Sequence, residues 1–192
     1  KSFASYTGSK YAIAVSSGTA ALHLCLKAIG IKRGDEVITS PFSYISSANC
    51  ILYEQARPVF VDVEEKTFNL DPKLVEKAIN HKTKAILSVH LFGLPFNFFK
   101  LKEIAAKHKL ILIGDACEAI GAEISGRRVG SLEDLAAFSF FPNKQITTGE
   151  GGMVTTNNQK FYLLLKELSH QGKSSSKNKC IYSHLGYSYR MD

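Results

Sequence analysis

Up to Gly121 the chain alternates short apolar runs with longer stretches of helical period. "YAIAV" (11–15) reads as a strand, and "GTAALHLCLKAIGI" follows as a helix with Ala21, Leu22, Leu26 and Ile29 on one face and Gly30 at its end. "DEVITS" (35–40) and "RPVFVDV" (57–63) read as strands on either side of a helix in "SYISSANCILYEQA". A clean helix start comes next, with Asp71 as N-cap, Pro72 at the first helical position, and Val75 and Ile79 one turn apart on the buried face. "TKAILSVHL" (83–91) predicts a strand, "FFKLKEIAAKHK" a helix, and "LILIG" (110–114) a strand buried on both sides. This alternation predicts an α/β fold of three layers, a mostly parallel sheet flanked by helices.

After Gly121 the rhythm changes. "AEISGRRVGS" reads as a short hairpin turning at Ser125 and Gly126, and "AAFSFF" and "GMVTT" as strands. A last helix, "QKFYLLLKELSH", precedes the serine-rich "GKSSSKNK" (172–179), which reads as a mobile loop. There is no internal repeat and no second core. The chain stops at "GYSYRMD" without a closing element and reads as a fragment.

Composition narrows the class. The 192 residues suffice for one well-filled core, and 45% hydrophobic with 21% charged residues is the balance of an ordinary soluble domain. No apolar run is long enough to span a bilayer, and "KSFASYTGSK" lacks signal-peptide architecture, so a soluble, cytoplasmic protein without membrane partners is expected. The four cysteines are scattered without a C-x-x-C pair, which fits reduced thiols, and the six histidines are equally dispersed, so no metal centre is expected. The net charge of +7 points to an acidic partner. Because the basic residues form no block, a phosphorylated small molecule suits it better than nucleic acid.

In open parallel sheets ligands gather beyond the carboxyl ends of the strands, and four stretches of this chain fall there. In "SSGTAAL" (16–22), Gly18 allows close backbone approach, while the Thr19 and Ala20 amides and the Thr19 hydroxyl suit a phosphate at a helix N-terminus. Alone, the stretch reads better as a helix cap by Ser17 or Thr19. Asp115, directly after "LILIG", can anchor a protonated ring nitrogen or cap a helix, and Glu118 can line the same place or sit solvated in a turn. Phe42 in "SPFSYIS" can stack on a flat cofactor, although burial in the core is the ordinary fate of a phenylalanine. Lys144 in "FSFFPNKQITTGEGGMVTT" follows an aromatic strand and precedes Thr147, Thr148 and glycines that let the chain turn tightly. Partly buried, such a lysine can form a Schiff base, though most lysines are surface residues. A phosphate cradle, a ring-nitrogen acid, a stacking aromatic and a Schiff-base lysine are together what pyridoxal phosphate needs. The absence of G-x-G-x-x-G and Walker motifs counts against a dinucleotide or ATP site.

Through "SSGTAALHLCL", "GDEVITSPFSYISSANCI", "PVFVDVEEKTFNLDP", "TKAILSVHLFGLP", "GDACEAIGAE" and "FSFFPNKQITTGEGGMVTT", the chain resembles the sugar aminotransferases of the DegT type. These belong to the aspartate aminotransferase fold, fold type I, of pyridoxal phosphate enzymes. The resemblance implies that residues 1–192 form the large cofactor-binding domain, without the family's small C-terminal domain. It implies transfer of an amino group, usually from glutamate, to a nucleotide-linked keto sugar, in a homodimer with shared active sites. By motif, Lys144 would bond to the cofactor and Asp115 would face the pyridine nitrogen. Thr19, with Gly18 and Ala20, and Ser139 would bind the phosphate, and Phe42 would lie against the ring. Glu118 stands where the family more often has glutamine or histidine. Ser188 replaces an asparagine that in the family reaches the neighbouring subunit's phosphate. Three rivals stay open at this level: a sugar dehydratase, whose family relative has histidine in place of the lysine, a non-catalytic or regulatory relative, and a Rossmann-type nucleotide-binding module.

Overall fold

The structure, a computed structural model, describes residues 1–174 and 181–191. Most of "GKSSSKNK" therefore lies outside the described residues. The first half runs α1 (Ser2–Thr7), β1 (Tyr11–Val15), α2 (Gly18–Ala28), β2 (Glu36–Thr39), α3 (Ser46–Tyr53), β3 (Arg57–Phe60), α4 (Pro72–Ala78) and β4 (Thr83–Val89). After a 3-10 turn at Leu91–Gly93 come α5 (Phe98–His108), β5 (Ile111–Asp115), β6 (Glu123–Ile124), β7 (Arg127–Arg128), β8 (Leu135–Ser139), β9 (Gly152–Thr156) and α6 (Gln159–Ser169). Seven strands form the main sheet in the order β1-β9-β8-β5-β4-β2-β3, with β6 and β7 as a separate hairpin. β9 is antiparallel to both its neighbours, and the remaining pairs are parallel.

The alternation of side chains on the central strands fills a core on each face of the sheet. Ile113 packs with Val15, Leu22, Cys25, Ile51 and Leu165 under α2, α3 and α6. Its neighbour Leu112 packs with Val75, Leu101 and Ile104 under α4 and α5. β5 is thus covered on both sides, as its uninterrupted apolar run predicts. Helix ends follow the expected chemistry. Ser17 caps α2 by accepting from the Ala20 amide at 3.1 Å. Gly30, at φ 78°, closes α2 with the paired bonds of a Schellman motif, Gly30 N to Lys27 O and Ile31 N to Leu26 O. Asp71 caps α4 through the Lys73 amide.

Several boundaries differ from expectation. α3 starts only at Ser46, β3 stops at Phe60, and β4 stops at Val89 before the chain bends through His90. Ile79 lies one residue past the end of α4, in extended backbone, yet still packs on the core below. α1 has no counterpart in the pattern reading. Its Phe3 meets Phe138 edge-on at 5.0 Å and Phe140 at 5.6 Å, contacts that a local pattern cannot reveal. The Ser125–Gly126 hairpin turn is present, with positive φ at both residues.

Candidate active site

Five strand ends converge on one cavity of about 540 Å³. After β1 it is lined by Ser17, Gly18 and Thr19, after β2 by Phe42 and Tyr44, at the end of β4 by Val89 and Phe92, at the end of β5 by Asp115, Cys117 and Glu118, and at the end of β8 by Ser139 and Lys144. The convergence depends on close backbone approach. A Cβ on Gly18 would lie 2.8 Å from Ser139 Cβ and 3.0 Å from Cys117 Sγ, so glycine alone lets the start of α2 rest on the ends of β5 and β8. Gly152 does the same for β9, where a Cβ would sit 2.5 Å from the Ser17 carbonyl oxygen.

Lys144 rides on a loop closed at its base. The Phe140 carbonyl accepts from Thr148 N at 3.0 Å and from Thr147 Oγ1 at 2.9 Å, so the chain returns to the residue it left. Inside that closure Lys144 N donates to Phe141 O at 3.0 Å. Its Nζ lies 3.1 Å from Glu118 Oε1, and Glu118 Oε2 accepts from Phe92 N at 3.2 Å. The Gln145 side chain donates to the Glu118 carbonyl. Glu118 is therefore no free surface residue but the charge partner of the lysine across the cavity wall.

Asp115 is buried at 5% exposure, and both its oxygens are engaged. Oδ2 accepts from Ser47 Oγ at 2.8 Å and Oδ1 from Cys117 N at 3.2 Å. No helix follows it, so the carboxylate caps a turn and otherwise faces the cavity. Burial, with the Asp115 carboxylate next, pushes the Cys117 thiol well above its ordinary range, which keeps it protonated and unreactive. Phe42 is 48% exposed, which removes the core reading. Its ring borders the cavity, 5.7 Å from Phe68 and 6.5 Å from Phe92.

Two expected residues lie off the cavity wall. The Ala20 amide is taken by the Ser17 cap, leaving Gly18 and Thr19 as the residues of that turn on the wall. Ser188 is exposed, bridged to His170 beyond the end of α6. Among the residues that escaped the sequence reading are Ser47, Glu150, Phe92 and Tyr44. Ser47 meets Asp115 only because α3 packs over the sheet, and no spacing links two residues so far apart. Tyr44 lies two residues from Phe42, which was a usable signal. Among the described residues no cluster of histidine, cysteine or carboxylate side chains could hold a metal ion.

Residues 1–192 match the DegT/DnrJ/EryC1/StrS aminotransferase family. The chain belongs to this family. A GDP-perosamine synthase of Caulobacter vibrioides is 48% identical over 100% of this chain and 51% of its own length. DesV of S. venezuelae, solved in complex with a ketimine intermediate, superposes with a TM-score of 0.94 at 40% identity, covering 99% of this chain and 51% of that one. NtdA of Bacillus subtilis, solved with bound cofactor PMP, has a TM-score of 0.92 at 34% identity, covering 98% of this chain and 43% of that one. The chain thus spans about half the length of the DegT-family relatives it matches, at most 51% in these three. Its sheet and helices are the shared part.

Proposed function

We propose that this chain is the large, cofactor-binding domain of a pyridoxal-phosphate-dependent aminotransferase that moves an amino group from an amino acid, glutamate by family habit, to a nucleotide-linked keto sugar. The observation that carries the reading is the meeting of Lys144, Asp115, Thr19, Ser139 and Phe42 around one cavity. The donor set suits the cofactor's chemistry: hydroxyls and first-turn amides for a phosphate, a buried carboxylate for a ring nitrogen, an aromatic face for a flat ring, and an amine within the same space.

In this reading Thr19, Gly18 and Ser139 bind the phosphate, and Asp115, oriented by Ser47, keeps the ring nitrogen protonated. Phe42 covers a ring face. When bound, pyridoxal phosphate would supply the electron sink for chemistry at the donor's alpha carbon. Lys144 would hold the cofactor, and its free amine would move the donor's alpha proton as general base and then general acid. Glu118 pairs with the lysine amine at the cavity wall, where the loop of residues 140–148 presents it. Lys144 itself favours transfer over dehydration.

The partners belong to the same reading. Tyr44 and Phe92, each 77% exposed beside the cavity, suit cover by a second copy of the chain in a homodimer. Ser188 then faces that copy. No helix among the described residues is long and apolar enough to cross a membrane, and Cys25, Cys50 and Cys117 are free, which suits a reducing cytoplasm.

The test is to add pyridoxal phosphate, reduce with borohydride and locate the adduct by mass spectrometry. An adduct on Lys144 is expected. Modification of another lysine, or of none, overturns the site. Turnover of glutamate with a nucleotide-linked keto sugar separates an active domain from a binding-only one.

A further inference from the structure

Away from the cavity, five polar side chains gather where α2, α3 and the last described segment meet. His23 and Glu54 are buried, at 3% and 8% exposure. His23 Nε2 lies 2.8 Å from Glu54 Oε1, and Lys27 Nζ donates to Glu54 Oε2 at 2.9 Å. His23 Nδ1 lies 3.1 Å from the Tyr189 hydroxyl. The Tyr187 ring meets His23 edge-on at 4.8 Å and stacks on Tyr189 at 4.9 Å. Burial, then the neighbouring Tyr187, Tyr53 and Glu54, push the Tyr189 phenol upward, so it keeps its proton. In the tautomer that donates a hydrogen bond from Nε2 to Glu54, Nδ1 accepts from that phenol.

The cluster reaches the cavity through the backbone. The Tyr189 carbonyl accepts from Ser16 N at 2.8 Å, next to Ser17, which caps α2 and lines the cavity with Gly18 and Thr19. Tyr187 N and Tyr189 N are tied to Leu168 O and Ser169 O, at 2.7 Å and 3.1 Å. Apolar side chains in the same alternation would fill this space and set the register, but without a hydroxyl they would not tie residue 189 to His23. Tyr187 and Tyr189 point inward as alternate residues, and a one-residue slip would exchange them for Ser188 and Arg190. A satisfied buried polar network specifies one arrangement because any other leaves its members unpaired.

We propose that His23, oriented by Glu54, is a positioning residue: it fixes Tyr189, and the Tyr189 carbonyl fixes the Ser16–Thr19 turn on which the cofactor's phosphate rests. This rests on the reading of the cavity as a pyridoxal phosphate site. Its specific consequence is that the cluster governs affinity for the phosphate and leaves the aldehyde's reaction at Lys144 alone.

The experiment measures, on the full chain, dissociation constants for pyridoxal phosphate and for phosphate-free pyridoxal, with denaturant stability alongside. The constant for pyridoxal divided by that for pyridoxal phosphate reports the phosphate contact. His23→Phe and Tyr189→Phe each lower the ratio by roughly two- to tenfold, the value of one hydrogen bond, while pyridoxal affinity holds. Glu54→Gln, which still accepts from Nε2, recovers most of the ratio. A parallel fall for both ligands means a merely structural role and overturns the proposal, as does an unchanged ratio in a Tyr189→Phe protein that folds. That variant removes one oxygen and decides the matter if His23→Phe fails to fold. A wild-type chain that binds neither ligand overturns the cofactor site itself, and the positioning role with it.

Discussion

His90 with Glu133 and Lys144 with Glu118 are both nitrogen–carboxylate contacts near 3 Å, at 2.9 and 3.1 Å, yet their surroundings are opposite. The first pair has no exposed side-chain surface. Glu133 also accepts from Gly130 N at 2.9 Å and Leu132 N at 3.3 Å, and His90 stacks on Phe96 at 4.2 Å. Even the neighbouring Gly114 has no room for a Cβ, which would lie 3.0 Å from Glu133 Cγ. In the second pair Glu118 is 37% exposed and Lys144 15%. A sealed pair cannot release a partner without leaving a buried charge alone, so it serves architecture. An open pair gains little stability, and for that reason can give up its amine to a ligand.

The sharpest way to break this contrast is Glu133→Ala. It strands the His90 ring and two backbone amides without an acceptor, and about 3–5 kcal/mol of stability should go in chemical denaturation. Labelling of Lys144 per folded molecule should not change. A loss below about 1 kcal/mol would put the sealed pair in the same class as a surface one.

Acid gives a gentler version of the same test. Burial alone would raise the Glu133 carboxyl, but the His90 contact and the backbone donors outweigh it and hold the group below the ordinary carboxylate range. A depressed folded value means that the stabilisation is complete above the unfolded carboxylate pKa and fades as pH falls through the folded one. Stability curves for wild type and Glu133→Gln should therefore converge in acid and stay apart at neutral pH. Curves parallel across that range would remove Glu133 as the acid-sensitive group.

Asp115 is intermediate, sealed like Glu133 but facing the cavity. Ser47→Ala deletes the donor to Oδ2 and should cost about 1–3 kcal/mol, the range for a buried group losing a partner. Unlike Glu133→Ala, it should also weaken pyridoxal phosphate binding, because the freed carboxylate can turn. Unaltered cofactor affinity would show that Ser47 does not orient Asp115.

The same contrast explains what could be read in advance. Strands and helices with strong period, such as β5 and α2, were legible because each apolar position answers to a face of one sheet. The convergence at the strand ends was legible because Gly18, Asp115, Phe42 and Lys144 each lie at a strand end or a few residues past one. Ser47, the His90–Glu133 pair and α1 were not, since each depends on a partner brought close by the sheet and by no local spacing. The sequence set Glu118 beside Asp115, but its pairing with Lys144 depends on the loop that closes on Phe140.

Glu118→Gln should be the smallest change. The amide keeps an oxygen for the Phe92 amide and offers the lysine a neutral partner. Because the pair is open to solvent, stability should move by less than about 1 kcal/mol, and added salt should shrink even that difference. The Lys144 adduct with pyridoxal phosphate should still form, since the amine's position is set by the closed loop of residues 140–148 and not by the ion pair. A stability loss rivalling Glu133→Ala, or transfer of the adduct to another lysine, would mean that the carboxylate and not the loop presents the amine, and the distinction between the sealed and the open pair would fall.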